Sequence, residues 1–169
     1  GRTSRQTTAV LPRGQFLNEV GLIFGARYAS AAVVPDGQAE RPVEDQVQQY
    51  VPSASPGCRA PHVWLERDGQ KLSTIDLVGR GFVLLAGPRG AAWLEAAQRM
   101  AIPGLDGCVI GDQVKDPDGS WPASYGLDDD GAVLVRPDGH VAWRASAMAA
   151  DPGAALRAAV DSVLCRTGA

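Results

Sequence analysis

The pattern of hydrophobic positions changes character near residue 55. Before it, one apolar segment, FLNEVGLIFGARYASAAVV, lies between a polar start and a Gln-rich stretch that runs to Val51. Within that stretch, Arg41–Tyr50 carries apolar side chains only at Val43, Val47 and Tyr50, a helix-like but sparse spacing. Residues 1–55 therefore read as an irregular extension with too little apolar content for a core of its own. Such a segment is expected to pack against the rest of the chain or against a missing partner. Pro52, Pro56 and Gly57 punctuate the chain beyond it, so SASPG reads as a linker or turn.

Residues 56–169 alternate short apolar runs with helical spacing, which predicts one α/β domain. HVWLE is a candidate strand, and RDGQKL a turn built on Asp68-Gly69. Ser73–Leu77 predicts a short helical turn. FVLLA, bounded by glycines, predicts a buried central strand. After Gly87-Pro88-Arg89-Gly90, the spacing of Trp93, Leu94, Ala97 and Met100 predicts a helix over 91–100. Cys108–Ile110 predicts a strand, and Gly111–Gly131 a loop rich in Asp, Gly and Pro. Ala132–Arg136 and His140–Arg144 flank Pro137-Asp138-Gly139 as a hairpin. The chain closes on a helix over 151–165, with Asp151 as N-cap, Pro152 first, and Leu156, Val160, Val163 and Leu164 on one face. A strand–helix–strand unit extended by a hairpin and a final helix is the thioredoxin arrangement: a central mixed sheet flanked by helices.

Composition narrows the function classes. The 169 residues carry a formal net charge of −3 with no Lys/Arg cluster, which argues against a nucleic-acid binder. No apolar run approaches the roughly 20 residues of a membrane span. The first ten residues lack the apolar core of a secretory signal, so the expected location is cytoplasmic. Only Lys71 and Lys115 among the basic residues are lysines, a bias that fits GC-rich coding. Three widely spaced cysteines, Cys58, Cys108 and Cys165, exclude a fully paired disulfide framework and argue against a thiol-rich zinc site.

The candidate chemistry is thin. A redox-active thioredoxin carries Cys-x-x-Cys at a helix N-terminus, where the dipole stabilises the thiolate. Here that turn is Gly87-Pro88-Arg89-Gly90, and Gly131-Ala132 stands where a cis-proline usually precedes the hairpin strand. The turn could instead bind an anion through Arg89 and free backbone N–H groups, or Arg89 could be a solvated loop residue. Cys58 has only Arg59 nearby in sequence to lower its pKa, and Cys58 with His62 lacks a second ligand pair for a metal. Cys108 and Cys165 read as small buried hydrophobes. The clusters at Asp116–Gly119 and Asp128–Gly131 do not match a calcium loop and read as turn chemistry. No P-loop, G-x-S-x-G elbow or G-x-G-x-x-G occurs. Trp64, Trp93, Trp121 and Trp143 read as core and rim packing.

PGCRAPHVWLERDGQKLSTIDLVGRGFVLLAGPRGAAWLEAA, together with GAVLVRPDGHVAWR further along, resembles the C-terminal domain of FAD-dependent aromatic-ring hydroxylases. These class A flavoprotein monooxygenases include phenol, chlorophenol and polyketide hydroxylases. Upstream, NEVGLIFGARYASAAVVPDG resembles the end of their flavin- and substrate-binding module, so the likeness runs from about Phe16 to Arg166. The resemblance implies a thioredoxin-like domain without the active-site cysteines. It also implies a parent that uses FAD, NADPH or NADH and oxygen on a phenolic or polycyclic substrate. The missing module would be the partner, and in some members the domain contributes to a homodimer. The flavin motifs are absent from this chain, so no catalytic, cofactor-binding or metal residue is carried over. Two other readings stay open: a stand-alone thioredoxin-superfamily redox protein using Cys58 or Cys108, and an anion-binding module at Arg89.

Overall fold

The computed structural model describes residues 19–39 and 43–166. The polar start and Arg41 lie outside the described residues. The elements are a short helix α1 (Val20–Phe24), a hairpin β1 (Trp64–Arg67) and β2 (Gln70–Ser73), and a 3-10 turn (Thr74–Leu77). Then come β3 (Phe82–Ala86), α2 (Ala91–Met100), β4 (Leu105–Val109), α3 (Trp121–Tyr125), β5 (Ala132–Val135), β6 (Val141–Ala145) and α4 (Pro152–Val163).

Four strands form one mixed sheet in the order β4-β3-β5-β6. β3 pairs parallel with β4 and antiparallel with β5, and β5 pairs antiparallel with β6. With α2 connecting the parallel pair, this is the expected thioredoxin-like fold. Period-2 alternation divides the core between the sheet faces. Val83, Leu85, Val133 and Val135 pack on one side with Leu65, Trp121 and Tyr125. Leu84, Ala86, Ala132 and Leu134 pack on the other with Trp93 of α2 and Leu156, Val160 and Val163 of α4. A bulge opposite Leu134/Val135 resets the alternation in β6, so Val141 faces the first side and Trp143 the second. Trp143 then meets Trp93 edge to face, with ring centroids 5.3 Å apart.

Three elements differ from the sequence expectation. Gln70, Lys71 and Leu72, read as part of a turn, form strand β2 with Ser73, read as the start of the helical turn: only Asp68-Gly69 turns, with both residues at positive φ, and Leu65 pairs with Leu72. β4 starts at Leu105 although Asp106 and Gly107 are poor strand formers. A Cβ at Gly107 would lie 2.9 Å from Leu94 Cδ1 and 3.0 Å from the Leu84 carbonyl oxygen, so the glycine lets α2 cross closely. The expected loop at 111–131 contains α3, whose Trp121 and Tyr125 are fully buried and stacked at 5.2 Å.

The extension divides into two parts. One part, together with the first residues of the domain that follow it, lies on the sheet. The Val34 N–H donates to the Ala142 carbonyl at 2.8 Å, the Gly57 N–H to Val141 at 2.8 Å, and the Val141 N–H to Cys58 at 2.9 Å. These bonds cover the edge strand β6. The other part, around α1, leaves its apolar side chains in solvent.

Candidate functional site

The position of the thioredoxin dithiol is the turn between β3 and α2. Its two ends have no room for side chains. A Cβ at Gly87 would lie 2.2 Å from the Asp129 carbonyl oxygen, and one at Gly90 would lie 2.9 Å from Ala86 Cβ. The loop ahead of β5 closes over the turn: the Gly87 N–H donates to Gly131 at 3.0 Å and the Arg89 N–H to Asp129 at 2.9 Å. Among the described residues no peptide bond is cis. The sulfurs are absent, and the Asp129 backbone crowds Gly87 while the Ala86 methyl crowds Gly90.

Arg89 is a surface residue. Its side chain is 70% exposed and lies 3.7 Å from the Asp129 carboxylate, a pair of small energetic weight. An anion at the N-terminus of α2 would meet that carboxylate, so the geometry does not favour the anion-site expectation.

The cysteines are poorly placed for thiol chemistry, which needs a thiolate. Burial pushes the Cys58 thiol up, against the pull of Arg27 and Arg144. Burial likewise pushes up Cys108 in the core, against the pull of Arg67. Cys165, expected to be buried, is exposed, because it lies just past the C-cap of α4. His62 places Nδ1 2.6 Å from Ser73 Oγ and stacks edge-on to Trp64. No group of three His, Cys, Asp or Glu side chains among the described residues could hold a metal ion.

The acidic clusters hold loops. Asp116 Oδ2 accepts from the Trp121 N–H at 2.8 Å and starts α3. The Asp130 carbonyl accepts from Trp93 Nε1 at 2.8 Å, and Asp130 Oδ1 from the Met148 N–H at 3.2 Å. Trp93, Trp121 and Trp143 are buried; Trp64 is exposed, with the Lys71 ammonium 4.0 Å from its ring centroid.

Two clusters that sequence reasoning missed fasten the extension to the domain. Arg144, on β6, is nearly buried. Its Nε and Nη2 donate to Asp36 Oδ2 at 2.8 and 2.5 Å, Nη2 donates to Gln38 Oε1 at 2.9 Å, and Nη1 to the Tyr125 carbonyl at 3.2 Å. At the hairpin turn, Tyr28 meets buried His140 edge to face at 4.6 Å. Asp138 accepts from Arg136 at 2.6 Å and from the His140 N–H at 3.1 Å. Burial alone would raise the Asp138 carboxyl, but the His140 N–H and the Arg136 charge hold it below its ordinary value. The signal for both lay in the quoted segments: Tyr28 and Asp36 in one, Asp138, His140 and Arg144 in the other.

Beside α1 lies a cavity of about 500 Å³, lined by Gly21, Leu22 and Gly25 on the helix and by Val43, Val51 and Cys58 opposite. It is open and of mixed polarity. No helix among the described residues is long and apolar enough to cross a membrane.

Comparisons with known proteins agree with this anatomy. A family model described as the C-terminal part of aromatic-ring hydroxylases matches residues 53–167. The chain is 42% identical to 4-methyl-5-nitrocatechol 5-monooxygenase of a Burkholderia species over 160 residues, covering 90% of the chain and 29% of that protein. It is 43% identical to tetracenomycin A2 monooxygenase-dioxygenase of Streptomyces glaucescens over 148 residues, covering 85% and 26%. The crystal structure of aklavinone-11 hydroxylase with FAD and aklavinone superposes with a TM-score of 0.77 at 39% identity, covering 87% of this chain and 28% of that one. The chain thus spans less than a third of the length of the relatives it matches. It belongs to the aromatic-ring hydroxylases and carries their thioredoxin-like C-terminal domain.

Proposed function

We propose that this chain is the non-catalytic association domain of an FAD-dependent aromatic hydroxylase, with residues 56–169 as the domain and 1–55 as the end of the catalytic module and its linker. Ring hydroxylation of a phenolic or polyketide substrate, with NADPH or NADH and oxygen, belongs to the rest of the parent. No residue here acts as a catalytic, cofactor-binding or metal-binding group.

The observation that carries this reading is the closed turn at Gly87–Gly90. A turn that had only exchanged its cysteines would keep the space around them; here Gly87 and Gly90 have none. The residues present also do not fit FAD. A pyrophosphate needs a glycine-rich turn opening onto a helix with free N–H groups. The turn of that kind among the described residues is covered by the Asp129 backbone and faced by its carboxylate.

The test is turnover by the 169-residue protein: reduction of insulin disulfides with dithiothreitol, and oxidation of NADH or NADPH with added FAD and phenol. The expected result is no rate above the protein-free control in either assay. Sustained thiol-dependent or flavin-dependent turnover overturns the reading.

A further inference from the structure

An Asp-Gly dipeptide brings a side-chain carboxyl against a backbone amide with little obstruction, because glycine adds no Cβ beside the nitrogen. The sequence contains six: Asp36-Gly37, Asp68-Gly69, Asp106-Gly107, Asp118-Gly119, Asp130-Gly131 and Asp138-Gly139. The fold restrains five of them. Asp36 accepts at both carboxylate oxygens, from Arg144 at Oδ2 and from the Gln38 N–H at Oδ1. Asp106-Gly107 lies within β4, in register with Val83 and Leu84 of β3. In the other three the glycine amide is engaged: Gly119 donates to the Asp116 carbonyl at 3.2 Å, Gly131 to Asp128 at 3.0 Å, and Gly139 to Arg136 at 2.9 Å. Two of those three also have bonded carboxylates, Asp130 with the Met148 N–H and Asp138 with Arg136 and the His140 N–H.

Asp68-Gly69 is under none of these restraints. It turns the β1–β2 hairpin, with both residues exposed and at positive φ, 54° and 75°. Among the described residues no partner holds the Asp68 carboxylate or the Gly69 amide. A Cβ built on Gly69 would meet nothing within 4 Å, so the space around the pair is open. The closing pair, Arg67 and Gln70, is itself exposed, and a hairpin end of this kind frays at small cost. We propose that Asp68 is a modification site, isomerising to isoaspartate through a cyclic imide with Gly69. The Gly69 nitrogen attacks Cγ of the protonated Asp68 carboxyl. The amide proton leaves with the carboxyl hydroxyl as water, and the imide closes. Water then adds at one of the two imide carbonyls. Cleavage of the bond to Cγ restores aspartate. Cleavage of the bond to the main-chain carbonyl leaves the chain running through Cβ and Cγ, with the former main-chain carbonyl as a free carboxylate. No oxidant, reductant or cofactor takes part. The product lengthens the backbone by one methylene at the turn that sets the Leu65–Leu72 register, and Leu65 belongs to the core.

Storage of the purified 169-residue protein at mildly acidic pH tests this, with peptide mapping by fragmentation mass spectrometry that separates aspartate, imide and isoaspartate. The expected result is that the peptide holding residue 68 carries more than half of all the isoaspartate formed. An imide lighter by one water should precede it there. Asp68→Glu, whose longer side chain closes a larger ring far more slowly, should remove that signal. Amide hydrogen exchange of the aged protein should speed up in β1 and β2 and stay slow in β3 and β5. In concentrated urea the six sites should react at similar rates, because each is followed by glycine and none is held. Isoaspartate spread evenly over the six sites of the folded protein, or concentrated at another of them, overturns the proposal. A preference for residue 68 that is as strong in urea as in the folded protein also overturns it, because the selection would then come from local sequence and not from the fold.

Discussion

Replacing Asp36 with alanine removes the carboxylate that pairs with a nearly buried guanidinium. Arg144 directs Nε and Nη2 at Asp36 Oδ2, with side-chain exposures of only 6% for Arg144 and 10% for Asp36. Breaking such a pair from one side leaves an uncompensated buried charge, at a cost of about 3–5 kcal/mol. Gln38 Oε1 and the Tyr125 carbonyl remain as acceptors, which places the expected loss near the lower figure. Domains of this size are stable by about 5–15 kcal/mol, so the variant loses a large fraction of its margin. With a urea m-value of about 2 kcal/mol/M, the unfolding midpoint by circular dichroism falls by roughly 1.5 M. The double variant Asp36→Leu/Arg144→Met removes both charges and should recover most of that loss. A loss below about 1 kcal/mol for Asp36→Ala, the scale of a surface pair, refutes the clasp.

Gly87→Cys should fail to restore a redox turn: its Cβ meets the Asp129 carbonyl oxygen at 2.2 Å, so urea unfolding should show destabilisation of about 1–3 kcal/mol. Burial raises the Tyr125 hydroxyl above its ordinary value of 10.0, and the hydroxyl donates to the Pro61 carbonyl at 2.8 Å. The folded state thus holds the proton more tightly than the unfolded chain, so this stabilisation is complete below pH 10 and is lost as pH rises further. Tyr125→Phe should cost about 1 kcal/mol at neutral pH and flatten the stability profile above pH 10; an unchanged alkaline slope would contradict it. Cys58 and Cys108, raised from 9.0, contribute alkaline loss of the same sign at lower pH. In timed alkylation monitored by mass spectrometry, exposed Cys165 should react first, half-buried Cys58 slowly and with a steep rise above pH 9, and Cys108 only on unfolding.

The sheet was legible in the sequence because its strands are either wholly apolar, as in FVLLA, or marked by a hairpin turn, as at Pro137-Asp138-Gly139. α4 was legible through its ends: Asp151 accepts from the Ala154 N–H at 2.9 Å, as an N-cap should. α3 was not legible, because its five residues are too few to show a helical period and sit among Asp and Gly turns; burial of Trp121 and Tyr125 against β1 and β3 decides its conformation. Gly107 misled in the same way, since its role is set by Leu94 of a neighbouring helix. At the candidate site, the missing sulfurs were plain from Gly87–Gly90, but the closure of the turn was not, because Asp129 reaches it from a distant part of the sequence. The Asp36–Arg144 pair spans a still longer separation, and nothing local to either residue announces the other.

On this reading the flavin chemistry of the family resides outside this chain. Its most direct test is a titration of FAD with the purified 169-residue protein, monitoring flavin fluorescence, together with the absorbance spectrum of the protein as isolated. The expected result is no flavin band in the isolated protein and no saturable change in fluorescence. A flavin that co-purifies, or a saturating titration that tracks protein concentration, would contradict it by placing a cofactor site within these residues.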